Sequence, residues 1–156
     1  MADLALVPLR AEHLAALASI LQATPEFTAE EVNVAIEILE DTVAGDDYRV
    51  LVAERDGVVA GYACFGETPM TEGTFDLYWV AVAPSEKRSG VGRAAIEAVL
   101  ERIRSSGGRL LRVETEGGAR YEGTRAFYER LGFAVASEIR DFYAPGRSLV
   151  VFVKYV

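Results

Sequence analysis

The stretch Asp76-Leu77-Tyr78-Trp79-Val80-Ala81-Val82-Ala83-Pro84-Ser85-Glu86-Lys87-Arg88-Ser89-Gly90-Val91-Gly92-Arg93 decides how this chain is read. A strand-like apolar run stops at Pro84, which has no N–H with which to continue a ladder. A polar stretch with two cations follows, then a Gly-x-Gly step, then a helical pattern from about Val91 to Ile103. A helix N-terminus leaves its first four N–H groups unpaired and carries partial positive charge, which suits a phosphate. Gly90 and Gly92 remove the side chains that would hold a pyrophosphate off the backbone. Lys87, Arg88 and Arg93 add positive charge to an otherwise acidic chain, so residues 87–93 read as a diphosphate cradle.

A second reading competes for the same residues. Gly90-x-Gly92-x-x-Ala95 matches the dinucleotide fingerprint, and Glu114 stands roughly where a ribose-binding acid would be. That fingerprint needs its first glycine directly after the strand, and here Pro84 and five polar residues intervene. It also opens a run of alternating strands and helices, which the flanking sequence does not supply. A nicotinamide-dependent oxidoreductase is therefore disfavoured.

A length of 156 residues, with 51% hydrophobic and 26% charged, fits one globular domain over 1–156 with a proper core. No apolar run approaches the ~20 residues of a membrane span, and Met1 opens no signal-peptide pattern. Cys64 is the one cysteine, which excludes an internal disulfide and fits a reducing cytoplasm. Within Tyr62-Ala63-Cys64-Phe65 it reads as a packed core thiol rather than a nucleophile. His13 is the one histidine, so no zinc site and no metal are expected. The net charge of −8 argues against nucleic acid and is compatible with a cationic partner such as an amine. No membrane partner is expected.

Around the deciding stretch, Ala5 to Leu9 form a short strand, and Leu14, Leu17, Ala18 and Leu21 recur at helical spacing. Thr28-Ala29-Glu30-Glu31 is a capping box that opens a helix carrying Val32, Ala35, Ile36, Leu39 and Val43 and ending near Gly45. Strands Tyr48 to Glu54 and Val58 to Phe65 meet at Asp56-Gly57, a hairpin signal. Thr68 to Gly73 turn into a central strand Thr74 to Val82, completing an antiparallel meander. The helix from Val91 buries Ile96, Val99, Leu100 and Ile103 and stops at Ser105-Ser106-Gly107-Gly108. A strand from Leu110 to Thr115 then returns, by a right-handed crossover, parallel to the central one. Tyr121 to Leu131 is helical with Gly132 as its stop. Strands Phe133 to Phe142 and Leu149 to Tyr155 flank the turn Ala144-Pro145-Gly146.

Three features resemble the GNAT superfamily of acyl-CoA-dependent N-acyltransferases. Val80-Ala81-Val82-Ala83-Pro84 running into Lys87-Arg88-Ser89-Gly90-Val91-Gly92 is similar to its acetyl-CoA motif, with Lys87 where Arg or Gln is usual. Thr124-Arg125-Ala126-Phe127-Tyr128-Glu129-Arg130-Leu131-Gly132-Phe133 resembles its helix ending in Phe-Tyr and Gly-Phe; the Asn frequent at the head of that block is not evident, and Tyr121 and Thr124 occupy its neighbourhood. The order of elements resembles the family over nearly the full chain. The resemblance implies a mixed α/β fold: a mostly antiparallel sheet of six to seven strands, about four helices, and a splayed parallel strand pair that holds the cofactor. It implies acetyl-CoA as acyl donor, with backbone of Val80, Ala81 and Val82 on the pantetheine arm and Lys87, Arg88, Ser89, Gly90, Val91, Gly92 and Arg93 on the pyrophosphate. Thr124 and Phe127 are implied as further cofactor contacts, and a homodimer is frequent among such proteins.

Acetyl transfer from a thioester to an amine needs a neutral amine, a donor for the tetrahedral oxyanion and a proton for the departing thiolate. The N–H of Val80 or a near neighbour is the candidate oxyanion donor. Tyr128 matches the family position of the acid, against the alternative that it only packs beside Phe127. Asp76 is the candidate base, where some relatives carry a glutamate; Glu67, Glu114, Glu116 and solvent are alternatives. Tyr78 and Trp79 alternate across the strand, so one lines the acceptor pocket while the other enters the core; Tyr143 borders that pocket or covers the sheet edge. No serine or cysteine sits in a nucleophile setting, so the expected reaction is direct transfer to a primary amine of a small molecule or peptide. A non-catalytic acyl-CoA-binding or regulatory module on the same fold is the alternative.

Overall fold

Hairpin chemistry builds the first part of the sheet. Asp56 and Gly57 both adopt left-handed backbone, with φ of 54° and 76°, which a two-residue turn needs to match the strand twist. They join β2 (Arg49–Arg55) to β3 (Val58–Glu67) in an antiparallel pair, with Val52 opposite Tyr62. β1 (Leu4–Pro8) pairs antiparallel with the other edge of β2. The computed structural model describes residues 3–45 and 49–156, so the strand start expected at Tyr48 lies outside the described residues.

Among the described residues four α-helices accompany the strands. α1 (Leu14–Gln22) follows a 3-10 turn at Ala11–His13. α2 (Ala29–Val43) opens on the predicted capping box: Thr28 Oγ1 accepts from Glu31 N at 3.1 Å, and Glu31 Oε1 accepts from Thr28 N at 3.3 Å. Caps of this kind stabilise a helix by ~1 kcal/mol. Val32, Ala35 and Leu39 are buried as the periodicity predicts, whereas Val43, in the last turn, is exposed because the buried stripe ends at Leu39. α3 (Val91–Ser105) buries Ile96, Val99, Leu100 and Ile103. α4 (Glu122–Arg130) starts one residue later than its pattern predicts, after a 3-10 turn at Ala119–Tyr121, and ends at Gly132 with φ 88°.

The remaining strands are β4 (Thr74–Val82), β5 (Leu110–Glu116), β6 (Ala134–Ala144) and β7 (Arg147–Tyr155), within two residues of the sequence boundaries. The seven strands are hydrogen-bonded in the order β1-β2-β3-β4-β5-β7-β6. β4 and β5 are parallel, from Thr74 opposite Leu110 to Leu77 opposite Val113, where the ladder ends although β4 runs on to Val82. β7 lies antiparallel between β5 and β6. This open, mostly antiparallel sheet with four helices and one parallel pair is the predicted architecture.

The chain divides into two compact units, one holding the residues up to Gly66 with Tyr78–Arg102, the other Glu67–Leu77 with Ile103–Val156. In the first, Leu17, Ile20, Leu21, Val32, Ala35 and Leu39 of α1 and α2 pack on Val50, Val52, Tyr62, Cys64 and Ala81. A smaller cluster of Ala53, Ala60 and Val91 receives Val82. Successive residues of a strand point to opposite faces, so Ala81 and Val82 anchor β4 in clusters on its two sides. In the second unit, Phe75, Leu77, Ile103, Leu111, Val113, Tyr128, Phe133 and Phe152 are buried. β6 is exposed along almost its whole length and bulges between Ile139 and Ala144, where Asp141 has φ 57° and its Oδ1 accepts from Gly146 N at 2.8 Å. Among the described residues no helix is long and apolar enough to cross a membrane, and no group of three or more His, Cys, Asp or Glu gathers to hold a metal.

Candidate active site

The expected cradle is a tightly turned segment of the first unit. β4 gives way to a 3-10 turn at Pro84–Glu86, with Pro84 at its first position. Ser89 N donates to Glu86 O at 3.2 Å, and the Ser89 hydroxyl donates to Glu86 O and, at 2.8 Å, to Glu86 Oε2. Arg55 Nε donates to Glu86 Oε1 at 3.2 Å and holds the turn from β2. The Ser89 hydrogen bond, followed by Arg55, holds the Glu86 carboxyl below its ordinary range. Glu86 thus serves to shape the loop as a fixed acceptor.

Two residues of the loop adopt left-handed backbone, Arg88 with φ 64° and Gly90 with φ 88°. Such reversals turn successive N–H groups toward one point, which favours an anion. Gly90 O accepts from Ala94 N at 3.0 Å, so Gly90 caps α3 and the N–H groups after it are the first of the helix. A Cβ on Gly90 would meet no atom within 4 Å, which leaves open space directly over the loop. Lys87, Arg88, Ser89 and Arg93 are exposed, with Arg93 Nε on Glu97 Oε1 at 3.0 Å; Gly92 is half-buried. Val91 is buried beneath the loop and fixes the helix start. The donors and the open space fit a diphosphate.

Sequence reading missed the glycine that makes this approach possible. A Cβ on Gly61 of β3 would stand 2.6 Å from Ala81 O and 3.2 Å from Val91 Cγ1. A glycine inside an otherwise regular strand pattern is the signal that could have found it. Val80 and Val82 are half-buried and Ala81 is buried. Trp79 enters the core, its ring edge-on to Phe27 at 5.2 Å, and Tyr78 is exposed.

The remaining expected site residues lie in the second unit. Tyr128 is buried in an aromatic cluster, with ring centroids 5.3 Å from Phe127, 5.4 Å from Phe133 and 5.9 Å from Phe152. Burial pushes its hydroxyl well above the ordinary tyrosine range, so it stays protonated. Thr124 and Phe127 are half-buried on the same helix. Asp76 is buried: Oδ1 accepts from Arg112 Nε at 2.7 Å and Oδ2 from Thr68 Oγ1 at 2.8 Å. Glu116 is gripped by Arg147 at 2.7 and 2.9 Å, which together with its charge holds the carboxyl low and makes it a poor base. Glu114 is exposed and pairs with Arg112 at 3.3 Å, and Glu67 is exposed at the end of β3. Tyr143 lies in the β6 bulge, exposed, with the Arg147 guanidinium 6.0 Å from its ring centre. Arg125, unforeseen from sequence, donates to Glu116 O at 2.8 Å and Gly118 O at 2.7 Å and so folds the turn between β5 and α4.

Comparison with known proteins bears on the family and the fold. The chain is similar over its whole length to a GNAT-family protein from Desulfovibrio desulfuricans solved by crystallography, with 38% identity, a TM-score of 0.93, and coverage of 98% of this chain and 99% of that one. It is 36% identical over 87 residues to the 5-NmdU N-acetyltransferase of Pseudomonas phage PaMx11, covering 56% of this chain and 58% of the relative. It is 31% identical over 100 residues to the L-amino acid N-acyltransferase MnaT of Escherichia coli K12, covering 63% and 56%. The matched stretches thus span less than two thirds of these curated relatives. The model of the acetyltransferase (GNAT) family matches residues 14–133, taking in the cradle, both β4 and β5, and the whole of α4. With that match and the full-length structural likeness, the chain belongs to the GNAT acetyltransferase family.

Proposed function

We propose that this chain is an N-acetyltransferase that passes the acetyl group of acetyl-CoA directly to a primary amine of a small molecule or peptide. The observation that carries the reading is the loop from Lys87 to Arg93, with left-handed Arg88 and Gly90 leading into the N-terminus of α3 under open space. Lys87, Arg88 and Arg93 with the backbone of Ser89 to Gly92 would hold the pyrophosphate, and backbone groups of Val80, Ala81 and Val82 the pantetheine arm. Thr124 and Phe127 are assigned to the same cofactor. Acetyl-CoA supplies an activated thioester. The N–H of Val80 is assigned as donor to the carbonyl oxygen as it gains charge. Tyr128 is assigned as proton donor to the sulfur as the C–S bond breaks; burial keeps its hydroxyl protonated in the native protein. Asp76 is assigned as acceptor of the amine's proton, which requires its carboxylate to loosen its hold on Thr68. A relative named for L-amino acids favours a small-molecule amine over a protein side chain. A cytoplasmic location belongs to the same reading.

Thermal unfolding with acetyl-CoA, free CoA or NAD(H) tests the cradle. A ligand bound only by the folded state at a hundred times its dissociation constant adds ~2.7 kcal/mol of stability. The melting temperature rises with acetyl-CoA and CoA and not with NAD(H), and amine-dependent thiol release follows. Absence of any response to saturating acetyl-CoA sinks the reading; a response without turnover of any amine favours the non-catalytic module.

A further inference from the structure

The two end strands of the sheet are finished differently. β1 is a five-residue edge that stops at Pro8, which has no N–H to offer, and most of its residues are half-buried. β6 forms the other edge with eleven residues, no proline and no lysine, and every residue from Ala134 to Tyr143 is exposed. Val135, Ile139 and Phe142 are 54%, 49% and 51% exposed. An edge strand offers unpaired N–H and C=O groups along its free side, which is a template for pairing with another chain. One whose side chains are open on both faces also gains little from burial within its own chain.

Bulges and charge order narrow what that template accepts. The ladder to β7 is irregular between Val135 and Ser137 and again between Ile139 and Ala144, where Asp141 is left-handed. Between the bulges Ser137, Glu138 and Ile139 stand in regular register opposite Val151, Val150 and Leu149, with Arg140 directly after. Glu138 and Arg140 therefore share one face of the strand, and Ile139 lies on the other. Glu138 Oε2 accepts from Ser148 Oγ at 2.7 Å, whereas Arg140 forms no ion pair among the described residues. Antiparallel pairing with a copy about a two-fold axis sets residue i opposite j and j opposite i. With the axis at Ile139, Glu138 of each copy faces Arg140 of the other, and the two Ile139 side chains meet on the opposite face. Parallel pairing in register, or an axis at Glu138 or Arg140, sets like charges against each other. This self-complementary order favours a second copy over an unrelated strand.

We infer that β6 is a two-fold interface through which the chain pairs with a second copy of itself, antiparallel and centred on Ile139. Two opposite-charge pairs and one apolar pair fix its register. The pairing covers the free edge of both copies, so assembly stops at two. The inference stands apart from the acetyl-transfer reading.

Sedimentation equilibrium of the full chain from about 1 to 300 µM reads the assembly. The wild-type mass rises toward that of two chains. Arg140→Glu turns both cross-strand charge pairs into repulsions and weakens the dimer at least about tenfold. Glu138→Arg does the same with two cations, and Ile139→Lys, which sets two ammonium groups at the axis, also leaves the chain single. All three positions are exposed, so each variant keeps the wild-type far-UV circular dichroism. The double variant Glu138→Arg/Arg140→Glu dimerises again, and an equimolar mixture of the two single charge variants forms a mixed dimer. A wild-type chain that stays single at every concentration overturns the proposal, as does a mass that climbs past two chains. A dimer that Arg140→Glu or Ile139→Lys leaves within about twofold of wild type overturns it too. So does a mixture of the folded single charge variants that remains monomeric.

Discussion

At the scale of single residues, Tyr128 and Asp76 show how type and position differ from environment. The Tyr128 ring is held by Phe127, Phe133 and Phe152, and its hydroxyl is kept protonated by burial. Tyr128→Phe keeps that packing, so the melting temperature stays close to wild type and acetyl-CoA still stabilises the protein. Turnover falls by the ~10²–10⁴ that a positioned acid contributes, and unchanged turnover would reduce Tyr128 to a packing residue. Asp76 shares its oxygens between Arg112, 36 residues away, and Thr68, 8 residues away. Asp76→Asn keeps the shape and leaves a side chain that still accepts from either partner. If Asp76 takes the proton, kcat/KM falls at least about a hundredfold while the affinity for acetyl-CoA stays at the wild-type value. A drop of less than about tenfold shows that Asp76 only ties Thr68 to Arg112 of β5. Both residues could be picked out from the chain by family position, and Phe127 and Phe133 stand within five residues of Tyr128, but neither Phe152 nor the guanidinium of Arg112 could be foreseen, because each comes from a strand far away in sequence.

At the scale of elements, what was legible is what local chemistry dictates. The capping box at Thr28, the left-handed Asp56-Gly57 turn, the strand stop at Pro84 and the helix stop at Gly132 each follow from a few neighbouring side chains, and each stands where it was read. The insertion of β7 between β5 and β6 was not legible, because strand order is decided by pairing across the molecule. The bulged, exposed β6 was not either: its alternation of small, charged and apolar residues suits an edge as well as an interior strand. The cradle was readable as Gly-x-Gly after a strand, but its geometry rests on Gly61, whose role appears only when β3 lies beside β4. Gly90 separates backbone strain from ligand clash. At φ 88° an alanine costs ~1–2 kcal/mol, which in a chain of this size lowers the melting temperature by about 2–4 °C per kcal/mol. Because a Cβ there meets no protein atom, any further loss must come from what occupies the open space. Gly90→Ala therefore weakens acetyl-CoA at least about tenfold, 1.4 kcal/mol, beyond its modest effect on the free protein. Equal acetyl-CoA affinity in the two proteins would place the pyrophosphate elsewhere.

At the scale of the whole molecule, buried acids that never ionise in the native state make stability depend on alkaline pH. Burial pushes the Cys64 thiol from its ordinary 9.0 up to about 12, and raises Tyr62 and Tyr128 above the ordinary tyrosine value of 10.0. Each folded pKa lies above its unfolded one. The stability these groups contribute is therefore whole below about 9 and drains as pH rises toward the folded values, because the unfolded chain sheds protons that the native one keeps. For Cys64 the window runs from 9.0 to about 12, and within it each pH unit removes up to ~1.4 kcal/mol. Urea unfolding at pH 8.0, 9.5 and 10.5 measures the slope, and the free energy of unfolding falls at each step. Cys64→Ala makes the slope shallower between pH 9 and 10.5, even though removal of a buried side chain lowers stability at every pH. A native thiol held protonated also leaves Cys64 unreactive toward alkylating reagents until the chain unfolds. A flat pH profile, or ready alkylation of the native protein at pH 9, would mean that the packing of α1 and α2 over β2 and β3 opens far more often than this core allows.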